Sequence, residues 1–139
     1  RHPFETYLLV NDVSGLDPGL YRYLPLDHSL LLLGGQVPPD DVIAGCHGQV
    51  FCGECAVTFV WSVVPYRTEW RYGPVSHKVI ALDAGHLCQN LYLAAESIGA
   101  GTCAVDSYDQ DAVDQLVDVD GMEEFVIYLA PVGKIPADV

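Results

Sequence analysis

The order of apolar patterns along this 139-residue chain predicts an α+β fold, a sheet backed by helices. Two observations carry that prediction. Short β-rich runs divided by turn signals come first, and helical periodicities alternating with two further β-rich runs follow. A third, the length itself, makes one domain over residues 1–139 the expectation, compact enough to bury an ordinary core without disulfides or metals.

Thr6 to Val10 reads as a strand ended by Asn11-Asp12 and the Asp17-Pro18-Gly19 turn, and Leu20 to Leu24 as a second strand in which leucines alternate with tyrosines. Asp27-His28 turns the chain into Ser29 to Leu33, which Gly34-Gly35 breaks. Pro38-Pro39 opens a short helix with Val42, Ile43 and Cys46 on one face, ending near Gly48. Ala56 to Val64 is almost continuously apolar, the pattern of a central strand covered on both faces. Pro65 to Gly73 reads as a helical turn or loop. Ser76 reads as the N-cap of a long helix to Ile98, with Ile80, Leu87, Leu91, Ala94 and Ile98 inward and Gly99 as its stop. Its small residues Ala81, Ala84, Gly85, Ala94 and Ala95 admit a second backbone, so the helix is expected deep in the domain. Gly101 to Val105 forms a brief strand, Asp109 caps a helix with Val113, Leu116 and Val117 inward, and Phe125 to Ala130 is a final strand before Pro131.

Half the residues are apolar, and 6 Lys plus Arg stand against 19 Asp plus Glu, for a formal charge of −13. No basic face remains to neutralise serial phosphates, so nucleic acid and anionic membrane surfaces are excluded as partners. The longest purely apolar leucine tract, Leu30 to Leu33, falls far short of a membrane span. The five cysteines, Cys46, Cys52, Cys55, Cys88 and Cys103, are an odd set for a disulfide framework and fit reduced thiols in a cytoplasmic setting. Cys52-Gly53-Glu54-Cys55 lacks the second ligand pair that a structural zinc site needs, so no metal is expected.

Eight of the 19 acidic residues fall between Asp106 and Glu124 and read as a solvated helix face. Arg22 and Lys78 read as surface cations that pair with the abundant carboxylates. Lys134, after Gly133 at the close of the last strand, is suited to a phosphate. Gly99-Ala100-Gly101-Thr102 follows a helix, the wrong context for a dinucleotide fingerprint, and His86 and Cys88, two residues apart on a helix, read as packing residues. No G-x-S-x-G, P-loop or H-E-x-x-H motif occurs.

Leu82 to Glu96 (LDAGHLCQNLYLAAE), followed by Gly99-Ala100-Gly101-Thr102-Cys103, resembles the hallmark segment of the SagB-type branch of the FMN-dependent nitroreductase superfamily, which includes azoline dehydrogenases of modified-peptide biosynthesis. Arg1-His2-Pro3-Phe4-Glu5, Gly19-Leu20-Tyr21, Arg67 to Gly73 and Leu129 to Lys134 extend the likeness, in order, over nearly the whole chain.

The resemblance implies an α+β sandwich, a central antiparallel or mixed sheet flanked by helices, that dimerises and binds FMN at the subunit interface. The family's amino-terminal helices, including the one that grips the flavin phosphate, have no counterpart here, so a preceding segment or companion subunit is expected. Carried over by position, Arg1, His2 and Pro3 lie along the flavin's polar edge. Cys103, Ala104, Val105, Asp106 and Ser107 pass its reactive nitrogen, and Lys134 meets its phosphate. Azoline-oxidising relatives place a Lys-Tyr pair where this chain has Arg71 and Tyr72. Tyr72 can act as acid or base, whereas Arg71 stays protonated and cannot be a general base. The expected activity is hydride transfer between FMN and a small-molecule or peptide substrate, either oxidation of an azoline ring or reduction of a nitro, quinone or enone compound. The alternative from another class is a flavin-free scaffold or partner-binding subunit.

Overall fold

The computed structural model describes residues 2–135. Six strands, β1 (Phe4–Val10), β2 (Gly19–Leu24), β3 (Ser29–Gly34), β4 (Val57–Val63), β5 (Ala100–Thr102) and β6 (Phe125–Lys134), form one sheet in the order β3-β2-β1-β4-β6-β5. Every neighbouring pair is antiparallel, so the α+β expectation holds and the sheet is not mixed. β4 lies inside the sheet, as its unbroken apolar run requires. Val60 on one face and Trp61 on the other are both buried, each in a different core cluster.

The helices divide between the two faces. Val60, Leu129, Val126, Tyr7 and Leu9 pack with Val42, Cys46 and Cys52 of the α1 (Pro39–Gly45) and α2 (Phe51–Glu54) region, and with Val113 and Val117 at α5 (Gln110–Leu116). On the opposite face Trp61 and Ala130 pack against Cys88, with Leu87, Leu91 and Tyr92 beside them, all from α4 (Ser76–Ser97). α3 (Tyr66–Tyr72) and a 3₁₀ turn (Gly73–Val75) link β4 to α4 at one end of the sheet.

Local details refine the reading. Ser76 is not an N-cap: it has helical dihedrals and is buried, because the 3₁₀ turn runs straight into the helix. α4 is less deeply buried than expected. Its inward stripe is Ile80, Ala84, Cys88 and Ala95, whereas Leu82, Leu93 and Ile98 are exposed because no other element of the chain covers that side. His86 is exposed too, so of the pair read as packing residues only Cys88 packs. Cys46, Cys52 and Cys55 are free: Cys46 follows α1, Cys55 follows α2, and α2, which the sequence pattern hides in four residues, carries Cys52, with both Cys46 and Cys52 fully buried. β6 continues through Pro131 to Lys134. Pro131 is tolerated because β5 ends at Thr102, where the threonine hydroxyl donates to the Pro131 carbonyl at 2.8 Å and no strand asks for the missing N–H.

The acidic segment is only partly a solvated face. Asp114 is 3% exposed and accepts from Val126 N at 2.7 Å and from Gln110 Nε2 at 3.1 Å. Glu124 accepts from the Tyr7 hydroxyl at 2.9 Å and from the Ser62 hydroxyl. Asp120 collects the N–H groups of Met122, Glu123 and Glu124, and these bonds hold its carboxyl below the ordinary aspartate value. Asp109 caps α5 as expected, accepting from Ala112 N at 2.9 Å. Acidic composition gives no hint of this structural use, since burial of a carboxylate depends on which amides the fold brings to it.

Candidate functional site

β6 runs the length of the sheet and sets Lys134 about 30 Å, at 3.3 Å per residue, from the end where His2 and Tyr72 lie, while the stretch after Cys103 passes its middle. At its far end Lys134 lines a groove of about 720 Å³ with Cys103, Thr102, Gly101, Phe51, Glu54, Cys55, Asp12 and others. Thr102 ends β5 here, and the chain turns back along β6, with Val105 and Leu129 exchanging hydrogen bonds of 2.8 and 3.1 Å. Within Cys103 to Ser107 the amides are not equivalent. Ala104 N donates to the Tyr92 hydroxyl at 2.7 Å, and Val105 is buried with its amide spent on β6. The amides of Asp106 and Ser107 have no acceptor among the described residues, and both residues are exposed, while the Ser107 carbonyl is held by Gln49 Nε2 at 2.9 Å. Two donors without an acceptor thus lie in a stretch whose flanks are pinned.

That pinning traces to α5. Asp114 ties the helix to the start of β6, and the Tyr108 hydroxyl donates to the Val126 carbonyl at 3.1 Å. Burial, followed by the negative charges of Asp114 and Asp106, pushes the Tyr108 phenol up to about 12, so it stays a donor at neutral pH.

The second group sits at the opposite end, where β1 begins, β4 ends and α3 crosses. His2, Thr68, Tyr72, Val79 and Asp83 line a cavity of about 220 Å³. Pro3 is buried and its carbonyl accepts from Val64 N at 2.8 Å, which fixes the entry of the chain into β1. Arg71 is exposed, with its guanidinium 5.7 Å from the Tyr72 ring centroid. Arg67 is committed elsewhere: it reaches Glu5 at 2.6 Å, and Arg22 reaches the same carboxylate at 2.7 Å, as expected for Arg22. Burial pushes the Glu5 carboxyl upward, but the two guanidiniums outweigh it and hold it below the ordinary glutamate value. Arg1 lies outside the described residues.

The structure therefore brings Lys134 and Cys103 together, and His2 and Tyr72 together, but not the two sets. Phe51 and Glu54 join the Lys134 groove without any signal in the sequence, because α2 is too short to show a period. Asp83 joins the His2 cavity from α4, visible beforehand only as part of the quoted hallmark segment.

The comparisons with known proteins bear on the family and the fold. The nitroreductase family model matches residues 1–134. The chain belongs to the nitroreductase family. A protein of Methanocaldococcus jannaschii that carries the nitroreductase name is 27% identical over 133 residues, 96% of this chain and 66% of that protein. The trifolitoxin-processing protein TfxB of Rhizobium leguminosarum bv. trifolii is 26% identical over 92% of this chain and 37% of its own length, in keeping with the SagB-type relation. Among solved structures, a nitroreductase of Anabaena variabilis superposes with a TM-score of 0.89 at 26% identity, over 96% of this chain and 27% of that one. A chain of the E. coli microcin synthetase McbBCD complex shares the fold, with a TM-score of 0.82 at 17% identity over 96% of this chain and 52% of that one. The chain thus spans between about a third and two thirds of the curated relatives it matches. Among the described residues no helix is long and apolar enough to cross a membrane.

Proposed function

We propose that this nitroreductase-family chain supplies both halves of an FMN-dependent oxidoreductase site, and that each complete site joins the Lys134 groove of one copy to the His2–Tyr72 cavity of another. The carrying observation is the separation itself: Lys134 and His2, which the family resemblance assigns to one flavin, stand at opposite ends of the sheet. A two-fold pair of chains brings opposite ends together twice, once for each groove.

The residues fit FMN in part. The amides of Asp106 and Ser107, which have no acceptor among the described residues, suit the edge of an isoalloxazine ring, and Lys134 is a cation in the neighbouring groove that Cys103 also lines. Asp12 and Glu54 share that groove, so one lysine does not neutralise a phosphate there. The remaining anion-binding groups come from a segment or subunit outside residues 2–135. When bound, FMN supplies the two-electron chemistry, moving a hydride equivalent to or from a small-molecule or peptide substrate. The protein's part is to orient the ring with backbone donors, hold the phosphate, and handle a proton at the Tyr72 hydroxyl. A cytoplasmic, homodimeric enzyme is the form this reading implies, with an azoline ring, or a nitro, quinone or enone compound, as the reacting group.

Mixing two inactive variants tests the arrangement. Lys134→Ala damages one half-site and Tyr72→Phe the other, so random exchange of chains regenerates one intact site in each mixed pair. The mixture is expected to recover about a quarter of wild-type activity, since half the pairs are mixed and half their sites intact. Activity no higher than that of either variant alone, with exchange confirmed by native mass spectrometry, refutes the shared site.

A further inference from the structure

We infer that the outer edge of β3 is a contact surface for a second copy of this chain, the two β3 strands pairing antiparallel across a two-fold axis so that the sheets of both copies join. The contact is separate from the proposed flavin site. β3 stands four strands from β6, about 19 Å at 4.8 Å per strand, and neither the Lys134 groove nor the His2 cavity takes a lining residue from β2 or β3.

β3 ends the sheet and, among the described strands, pairs only with β2, so part of its backbone N–H and C=O groups face outward from the sheet. The end strand on the other side, β5, is blunted by its length of 3 residues. β3 has 6 residues and lacks the charges and prolines that keep an edge from pairing: residues 28–39 include no Asp, Glu, Lys or Arg, and the first proline after the strand is Pro38. Leu30, Leu31, Leu32 and Leu33 are 38% to 59% exposed, with Leu30 beside Tyr23 and Leu32 beside Tyr21 on one face and Leu31 beside Arg22 on the other. The helices pack on the β1, β4 and β6 part of the sheet, and β3 lies outside their cover.

Two features select a second copy as the occupant. Consecutive leucines present leucine to leucine when the strand meets its own reverse, which is the self-complementarity that a two-fold contact needs. Charge narrows the choice further. At −13, copies repel one another over most of their surface, and this is an exposed sheet edge from which carboxylates are missing. Antiparallel pairing keeps the two copies of Asp27, in the turn before β3, at opposite ends of the contact, whereas a parallel pair would stack them. Within each copy the charge beside Leu31, on Arg22, is already met by Glu5 at 2.7 Å. A bulge that skips Leu33 confines the regular ladder to residues 29–32. Half-exposed leucines on so short a ladder fall well short of the roughly 800 Å² per partner of a standard complex, so the contact forms and parts with concentration.

Sedimentation equilibrium of the purified protein, from low to high micromolar concentration, measures the contact. The wild-type mass is expected to double as concentration rises, whether the unit that doubles is one chain or a pair already joined at the flavin site. Added salt is expected to bring the doubling to lower concentration, because it screens the repulsion between two chains of charge −13. Leu31→Glu has Arg22 beside it in its own chain but adds a carboxylate on each side of the two-fold, and is expected to raise the dissociation constant about 10-fold or more with an unchanged circular dichroism spectrum. Hydrogen exchange locates the contact in wild type without any substitution: amides of residues 29–32 are expected to exchange more slowly at high concentration than at low. A mass independent of concentration, a doubling that Leu31→Glu leaves intact or that salt weakens, or exchange in β3 indifferent to concentration overturns the inference. Protection of β3 by a lysine-rich extended peptide alone, lost on adding salt, overturns it in favour of a peptide strand at the same edge.

Discussion

Asp114→Ala tests whether the acidic stretch from Asp106 to Glu124 is a solvated surface or part of the frame that holds the site. Asp114 is 3% exposed, and its carboxylate accepts from Val126 N at 2.7 Å and from Gln110 Nε2 at 3.1 Å. Alanine leaves the Val126 amide without an acceptor inside the sheet, where Val126 is 1% exposed. An orphaned buried amide that had a charged acceptor costs about 2–3 kcal/mol. The Gln110 amide is exposed and keeps the Val126 carbonyl at 2.9 Å, so its loss adds little. The net expectation is a destabilisation of about 2 kcal/mol and a fall in Tm of about 8 °C for a domain of this size. Urea unfolding of wild type, Asp114→Ala and the exposed control Glu123→Gln, followed by far-ultraviolet circular dichroism, measures it. Glu123→Gln should lie within about 0.5 kcal/mol of wild type. An Asp114→Ala protein as stable as wild type, or more so, would show that the carboxylate is only one more surface charge and that the bond to Val126 N carries no weight.

Glu5 makes a pH-dependent contribution. Its carboxyl is held below the ordinary value by Arg22 and Arg67, so the stabilisation is complete above the usual glutamate range and disappears as pH falls through the lowered folded value. Glu5→Gln is expected to cost about 1 kcal/mol at pH 7 and almost nothing at pH 2; equal differences at both pH values in urea titrations count against the bridge. Gly53→Ala sets helix propensity against space. The new Cβ would stand 2.5 Å from the Pro39 carbonyl and 2.7 Å from Ile43 Cγ1, so α1 and α2 must part. A loss of at least 2 kcal/mol, roughly, is expected despite alanine's gain of about 1 kcal/mol in a helix; a stabilised variant in thermal unfolding means the two helices are loosely packed.

Most strands and the long helix are legible because their apolar residues recur along a buried face or fill an unbroken run, whereas β3 is a run of four exposed leucines legible only from the turn signals around it. β4 shows as an unbroken run since both faces are covered, and Asp109 announces α5 through its cap. The quoted hallmark segment and the residues flanking it were enough to assign the family. What sequence could not carry is anything set by contacts between distant elements. Four-residue α2 has no period, so Phe51 and Glu54 enter the groove unannounced. Asp114 and Glu124 look like their solvated neighbours, because an anion's burial is decided by amides and hydroxyls that only the folded sheet delivers. The placing of His2 and Tyr72 at one end of β6 and Lys134 at the other is likewise a property of sheet order. Chain position places Arg71 and Lys134 in one linear pattern, and antiparallel pairing alone determines that they stand at opposite ends.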